Sequence, residues 1–242
     1  YIYLLHDAST GETAAVDPAE AAPVLSALKD RGWTLTAILN THHHGDHVGA
    51  NEALKGFTGC QIVGLPGAAE PIPGIDRIVH AGDRVSVGHF EAQVLEVPGH
   101  TQSHIAYWFE REHALFCGDT LFSLGCGRLL GGTIEALWSS LQRLRDLPGD
   151  TRVFCAHEYT ENNGRFARTV EPSNPDLLRH LEHIARLRAI GEPTVPSRMD
   201  LECKANPFLR PDSPEIRQSL HMDVTIPDLD VFARLRSLKD HF

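Results

Sequence analysis

Thr41-His42-His43-His44-Gly45-Asp46-His47 follows directly on the apolar run Leu35-Thr36-Ala37-Ile38-Leu39, and the fold is read outward from that junction. In extended backbone, side chains two residues apart project to the same side, so His42 and His44 face one point while His43 faces away. Asp46 and His47 fall at the start of the next helix, near Val48-Gly49-Ala50, where they can turn toward a second point. One loop thereby offers three imidazoles and a carboxylate, a donor set suited to zinc, iron or manganese. A solvated histidine-rich loop is the plainer alternative, and one histidine is more often structural than ligating. Four of the chain's 15 histidines within six residues, at the end of an apolar strand, point instead to metal.

Three further stretches repeat the arrangement, each closing a predicted strand: Pro98-Gly99-His100-Thr101, Gly118-Asp119-Thr120 and Ala156-His157-Glu158. A polar residue beside Gly or Pro at a strand end usually just begins a turn. Three more of them, all of ligand type, bring the count of donors to seven. That is too many for one tetrahedral ion but suits two ions sharing a bridge.

The surrounding composition is that of a soluble globular protein, with 242 residues, 42% hydrophobic and 22% charged. No apolar run approaches the ~18 residues of a membrane span. The formal charge of −10 argues against nucleic-acid and anionic-membrane partners. Five cysteines form no CxxC pair and are odd in number, which suits a reducing cytoplasm better than a disulfide scaffold. The opening Tyr1-Ile2-Tyr3-Leu4-Leu5 has no basic segment before it, so no signal peptide is expected.

Strands are predicted at Ile2–His6, Thr13–Asp17, Thr34–Asn40, Gln61–Leu65, two within Arg84–Val97, then His104–Phe109, Ala114–Cys117 and Arg152–Cys155. Helices are predicted from near Pro23 to Gly32, from Ile134 to Leu147 with Thr133 as N-cap, from Asn174-Pro175 onward, and at Leu229–Lys239. After about residue 160 the strand signals fade. A β-rich α/β domain followed by a helical appendage is expected, and the lack of strict strand–helix alternation favours a layered sandwich over a doubly wound sheet.

The motifs Thr41–His47 (THHHGDH), Pro98–Thr101 (PGHT) and Gly118–Thr120 (GDT), with a late histidine, resemble the metallo-β-lactamase superfamily. Within it, Phe116–Phe122 (FCGDTLF), Gly125–Arg128 (GCGR), Ala156–Thr160 (AHEYT) and Leu235–Phe242 (LRSLKDHF) resemble glyoxalase II, the hydroxyacylglutathione hydrolases. The resemblance covers nearly the whole chain. It implies a four-layer αββα sandwich over residues 1–160 and a small C-terminal helical, glutathione-binding domain over 161–242. It assigns one metal to His42, His44 and His100, a second to Asp46, His47 and His157, and a bridging role to Asp119. His104 falls to the surroundings of the ligands or to the core. The two divalent ions would be zinc foremost, with iron or manganese also fitting.

Two such ions roughly 3.5–4 Å apart can share a water and lower its pKa to about 7. The resulting hydroxide needs no Ser or Cys nucleophile, and no GxSxG is present; Asp46 would ligate and also orient it. The implied reaction is hydrolysis of S-D-lactoylglutathione to glutathione and D-lactate in methylglyoxal detoxification, by a monomer whose partner is a small glutathione thioester. Arg128, Arg236 and Lys239 match glutathione-binding positions, and Tyr159 offers a phenol. For Arg234, Arg236 and Lys239 the competing role is to complement the dipole in the last turns of a helix. Leu130 and Gly131 stand where the family usually has an aromatic and an acidic residue, which removes one contact to glutathione. Two rival readings remain: a mononuclear iron persulfide dioxygenase using His42, His100 and Asp119, and a non-catalytic metal-binding module.

Overall fold

Short apolar runs bounded by turn residues become the strands, in a computed structural model that describes residues 1–67 and 71–242. These divide into two compact units, one comprising Tyr1–Val97 and Thr101–Gly118, the other Pro98–His100 and Asp119–Phe242.

In the first unit, β1 (Tyr3–His6) and β2 (Thr13–Val16) form an antiparallel hairpin. Helix α1 (Ala21–Arg31) then carries the chain to β3 (Ala37–Leu39), parallel to β2. Pro23 sits in the first turn of α1, and Gly32 ends it in the left-handed conformation at φ 68°. Two short helices, α2 (Gly45–Val48) and α3 (Asn51–Thr58), lead into β4 (Gln61–Gly64) and the two-residue β5 (Arg77–Ile78), both parallel to their neighbours. Parallel pairs require such crossovers, and here helices supply two of them. A second sheet is a plain antiparallel meander of β6 (Arg84–Val87), β7 (Phe90–Glu96), β8 (Ile105–Phe109) and β9 (Ala114–Gly118).

The core under α1 and α3 is built from Val24, Leu28, Leu35, Ile38, Leu54 and Ile62, all buried. Each such side chain removed from water contributes about 1.5–3 kcal/mol. Tyr107 of the meander pins the parallel sheet: its hydroxyl donates to the carbonyl of Asn40 at 3.0 Å, with that of Val63 at 3.3 Å. Several strands are shorter than predicted, most of all Ala37–Leu39 against Thr34–Asn40, where Thr36 turns its hydroxyl to the Thr13 carbonyl at 2.9 Å; Arg152–Cys155 matches its prediction and Ala114–Gly118 runs one residue longer.

The second unit contains the small pair β10 (Leu121–Phe122) and β11 (Gly125–Cys126), then α4 (Ile134–Arg145), β12 (Arg152–Cys155) and α5 (Thr160–Val170). It continues with α6 (Pro175–Ala189), β13 (Ser197–Arg198) antiparallel to β12, α7 (Met199–Ala205), a 3-10 turn at Pro207–Leu209, α8 (Pro214–Ser219) and α9 (Asp228–Asp240). The predicted caps are in place. Thr133 accepts from Ala136 N–H, and Asn174 from Asp176 and Leu177 N–H with Pro175 in the first turn.

Helix α5 is not foreseen by the sequence reading, since Asn162-Asn163-Gly164 reads as a turn. It forms because Phe166, Ala167 and Val170 are buried and Gly164 lets Leu181 of α6 pack close, an ideal Cβ there falling 2.3 Å from Leu181 Cδ2. Tertiary packing overrides local propensity here. Below α5 and α6, Leu124, Ala167, Leu177, Ile184 and Ala205 form a buried cluster, beside a run of rings through Phe166, Phe208, Phe232 and Trp138.

Candidate metal centre

In the first unit β3 ends at Leu39 and the chain turns inward, leaving Asn40, Thr41 and His42 with no solvent exposure. His44 is the N-cap of α2, and Asp46 and His47 lie on that helix, as the sequence predicts. His42 Nε2 and His44 Nδ1 face one another at 3.0 Å, and His47 Nε2 lies 3.7 Å from Asp46 Oδ2. At the ~2.0–2.1 Å of a zinc–nitrogen bond, two ligands on one tetrahedral edge sit roughly 3.3–3.4 Å apart. Both pairs are close to that edge length. His43 stands outside the donor groupings found among the described residues.

The backbone beneath this loop is held by buried polar groups. Asn40 Nδ2 donates to the His47 carbonyl at 3.0 Å, and Asn51 Nδ2 to Asn40 Oδ1 at 2.8 Å. Asp17, one residue past β2 and 3% exposed, accepts from Thr41 N–H at 2.8 Å, Thr41 Oγ1 at 2.7 Å and His47 Nδ1 at 3.0 Å. With Nδ1 donating, the Nε2 lone pair of His47 is the one presented to an ion. The sequence reading missed Asp17. Its only local signal is a carboxylate closing an apolar strand before Pro18. His104 is buried and stacks on His42 with centroids 4.5 Å apart and planes 19° apart, so it packs the ligand from one side. Gly118 has φ 50°, and a Cβ on it would stand 2.3 Å from Thr41 Oγ1, so only glycine fits beside the loop.

In the second unit Asp119 lies between two imidazoles. Its Oδ1 is 3.3 Å from His157 Nε2 and its Oδ2 is 3.6 Å from His100 Nε2. One carboxylate presenting a different oxygen to each of two imidazoles has the form of a bridge between two ions. His100 Nδ1 donates to the Arg128 carbonyl at 2.8 Å, which again fixes the tautomer and presents Nε2. The donor chemistry and the orientation of both sets fit divalent metal.

The expected substrate residues are placed differently from one another. Arg128 is exposed, at the end of the Gly125–Arg128 stretch. Tyr159 is half exposed, stacked on His157 at 5.0 Å and edge-on to Phe122 at 5.2 Å. Lys239 Nζ contacts Asn162 and lies over the rings of Phe166 and Phe242. Burial and the neighbouring Arg236 and Arg165 lower its pKa to about 8. Arg236 is only 3% exposed, and its guanidinium donates to the Cys126 carbonyl at 2.8 Å and to Asp240 at 3.0 Å. Burial pushes the thiols of Cys126 to about 11 and Cys155 to about 12, so neither serves as a nucleophile near neutral pH.

Comparison with known proteins fits this geometry. The metallo-beta-lactamase superfamily model matches residues 3–157, and the hydroxyacylglutathione hydrolase C-terminus model matches residues 158–242. The chain is 55% identical over its full length to the hydroxyacylglutathione hydrolase of Methylococcus capsulatus and 53% to that of Rhodospirillum rubrum, covering 94% of each. Among solved structures it resembles ETHE1 from Myxococcus xanthus, with 26% identity and a TM-score of 0.68 over 98% of this chain and 91% of that one. TTHA1623 in a di-iron-bound form is similar at 28% identity and TM-score 0.61, over 86% and 94% of the two chains. The chain is a metallo-β-lactamase-fold protein with a C-terminal helical region, and it belongs to the hydroxyacylglutathione hydrolase family.

Proposed function

We propose that this chain hydrolyses S-D-lactoylglutathione to glutathione and D-lactate at a centre of two divalent ions. The observation that carries the reading is Asp119 with one oxygen toward His100 and the other toward His157. In this reading His42, His44 and His100 would hold one ion, Asp46, His47 and His157 would hold the other, and Asp119 would be shared between them. Zinc suits the nitrogen-rich donor set best, with iron and manganese also compatible.

When bound, such a pair supplies a water of lowered pKa and a Lewis acid for the thioester oxygen. The chain's own groups do the rest. Asp46, whose carboxylate is well exposed beside His47, accepts a hydrogen bond from the attacking water and aims it at the carbonyl carbon. Asp17 and the Arg128 carbonyl keep the imidazoles of His47 and His100 in the ligating orientation. The leaving thiolate has a pKa near the ~8.5 of a free thiol, so it departs without a general acid.

Glutathione brings two carboxylates to a chain of charge −10, so recognition needs local cations. Arg128 and Lys239, with the Tyr159 phenol, form that set, and Arg236 supports it from behind through the Cys126 carbonyl. Residues 1–160 act as the catalytic domain and 161–242 as the glutathione-binding one. Among the described residues no helix is long and apolar enough to cross a membrane. Five free cysteines, four of them buried, suit a reducing compartment such as the cytoplasm.

The test is thioester hydrolysis of S-D-lactoylglutathione by purified protein of measured metal content, before and after chelation. Turnover that disappears with the metal and returns with zinc is expected. Full activity in the metal-free protein, or one iron per chain with oxygen uptake and no hydrolysis, would defeat the proposal.

A further inference from the structure

Four polar side chains of the C-terminal helices are buried to within 5% exposure: Asn163 on α5, Glu202 on α7, Asn206 just after it and Arg236 on α9. All four turn to one piece of backbone, the β10–β11 pair and the residue after it. Asn163 Nδ2 donates to the Ser123 carbonyl at 3.1 Å. Asn206 Nδ2 lies 3.2 Å from the Phe122 carbonyl and 3.0 Å from that of Gly125. Glu202 Oε2 accepts from Leu124 N–H at 2.9 Å. Arg236 Nη1 reaches the carbonyls of Cys126 at 2.8 Å and Gly127 at 3.5 Å.

This backbone does not hold its shape by itself. Its strands are two residues each, and Leu124 between them has φ 58°, a conformation that non-glycine residues adopt only when their surroundings impose it. Buried carbonyls without a ladder partner must be met by side chains, and these helices provide the side chains. Both ends of the stretch meet metal ligands. It begins directly after Asp119-Thr120, and Gly127 N–H donates back to the Thr120 carbonyl at 3.1 Å. An ideal Cβ on Gly127 would fall 2.1 Å from the Asp119 carbonyl, so loop and ligand backbone are in contact. At the far end the Arg128 carbonyl orients His100.

We infer that the C-terminal helices position the metal ligands Asp119 and His100 through this loop, with Asn163, Glu202, Asn206 and Arg236 as positioning residues. The inference rests on the two-metal reading above. It assigns the helical region a second task besides binding glutathione, namely holding the metal centre in register. Arg236 then acts on the metal ligands, and direct contact with the substrate is left to other cations.

Zinc affinity of the full-length chain, read by competition with a chromophoric chelator, tests this, together with kcat, KM and the melting temperature of the metal-free protein. Asn163→Ala and Arg236→Lys are expected to weaken zinc binding by about tenfold or more, the scale on which supporting partners of ligands act, with kcat falling in step and KM nearly unchanged. A metal-free melting temperature close to wild type separates positioning from unfolding. Should Arg236→Lys fail to fold, Asn163→Ala, which removes one hydrogen bond, decides. A rise in KM with zinc affinity at the wild-type level overturns the inference and makes Arg236 a plain substrate contact. His100→Ala is the control. If it loses zinc while the two positioning variants do not, the inference falls alone; if it keeps zinc, the two-metal reading falls and takes the inference with it.

Discussion

Asp17 and Asp119 are both buried aspartates, but in the proposed centre they would stand at different removes from the metal. Asp119 faces the imidazoles of His100 and His157 with its own oxygens, whereas Asp17 touches His47 on Nδ1, opposite the Nε2 proposed to ligate. Removing a ligand abolishes a metal position; removing its support only loosens the ring. Asp119→Ala should therefore cut kcat by orders of magnitude and release metal. Asp17→Ala should lower metal affinity and kcat/KM by about 10–100-fold. Metal content after dialysis and steady-state kinetics on both variants check this, and wild-type metal retention in Asp17→Ala would reduce Asp17 to a loop brace. Gly131 shows the same dependence on local geometry. The family's usual acidic residue is absent there, and φ is 101° at this position, where an L side chain would be strained. The neighbouring Leu130 is 51% exposed, with its N–H on the His100 carbonyl.

At the scale of elements, α9 divides its cations between two jobs one turn apart. Arg236 faces inward to the carbonyls of Cys126 and Gly127, and Lys239 lies in the last turn over Phe166 and Phe242. Burial and two nearby guanidinium groups lower the Lys239 pKa to about 8, because each disfavours its charged form. The ammonium is fully charged well below pH 8 and is lost as pH rises through that value. In its proposed role, its attraction for a glutathione carboxylate would follow the same course. KM for S-D-lactoylglutathione should rise between about pH 7.5 and 9, and Lys239→Arg, whose guanidinium stays protonated, should flatten the rise. A KM that climbs equally in both proteins would detach Lys239 from substrate binding. Helices α4 and α6 were legible in the sequence because their caps and apolar spacing agree. Helix α5 was not, since Asn162-Asn163-Gly164 signals a turn and only packing against α6 and the Ser123 carbonyl makes it a helix.

Over the whole molecule the metals are expected to contribute to stability as well as to chemistry. Ions that bind only the folded chain stabilise it by mass action, by about 2.7 kcal/mol at a hundredfold excess over Kd. For a chain of 150–250 residues that corresponds to a melting temperature roughly 5–10 °C higher with metal than with chelator. Differential scanning calorimetry in the two conditions measures it, and equal transitions would show that the donors are not occupied in solution.

The sequence by itself determined which residues are the candidate ligands and where along the chain they stand. The stretches that carry them each follow an apolar strand, and strand periodicity with its closing turn is written in adjacent residues. It also determined the fold class, through motifs spread from Thr41 to Phe242. Only the tertiary structure decided which ring nitrogen of His47 and His100 is presented, and that Arg236 is committed to a loop instead of standing open to solvent. Those outcomes depend on hydrogen bonds between residues 30, 28 and 110 positions apart. No local pattern encodes such a contact, because it exists only once burial has brought an acceptor without a partner next to a donor in the same state.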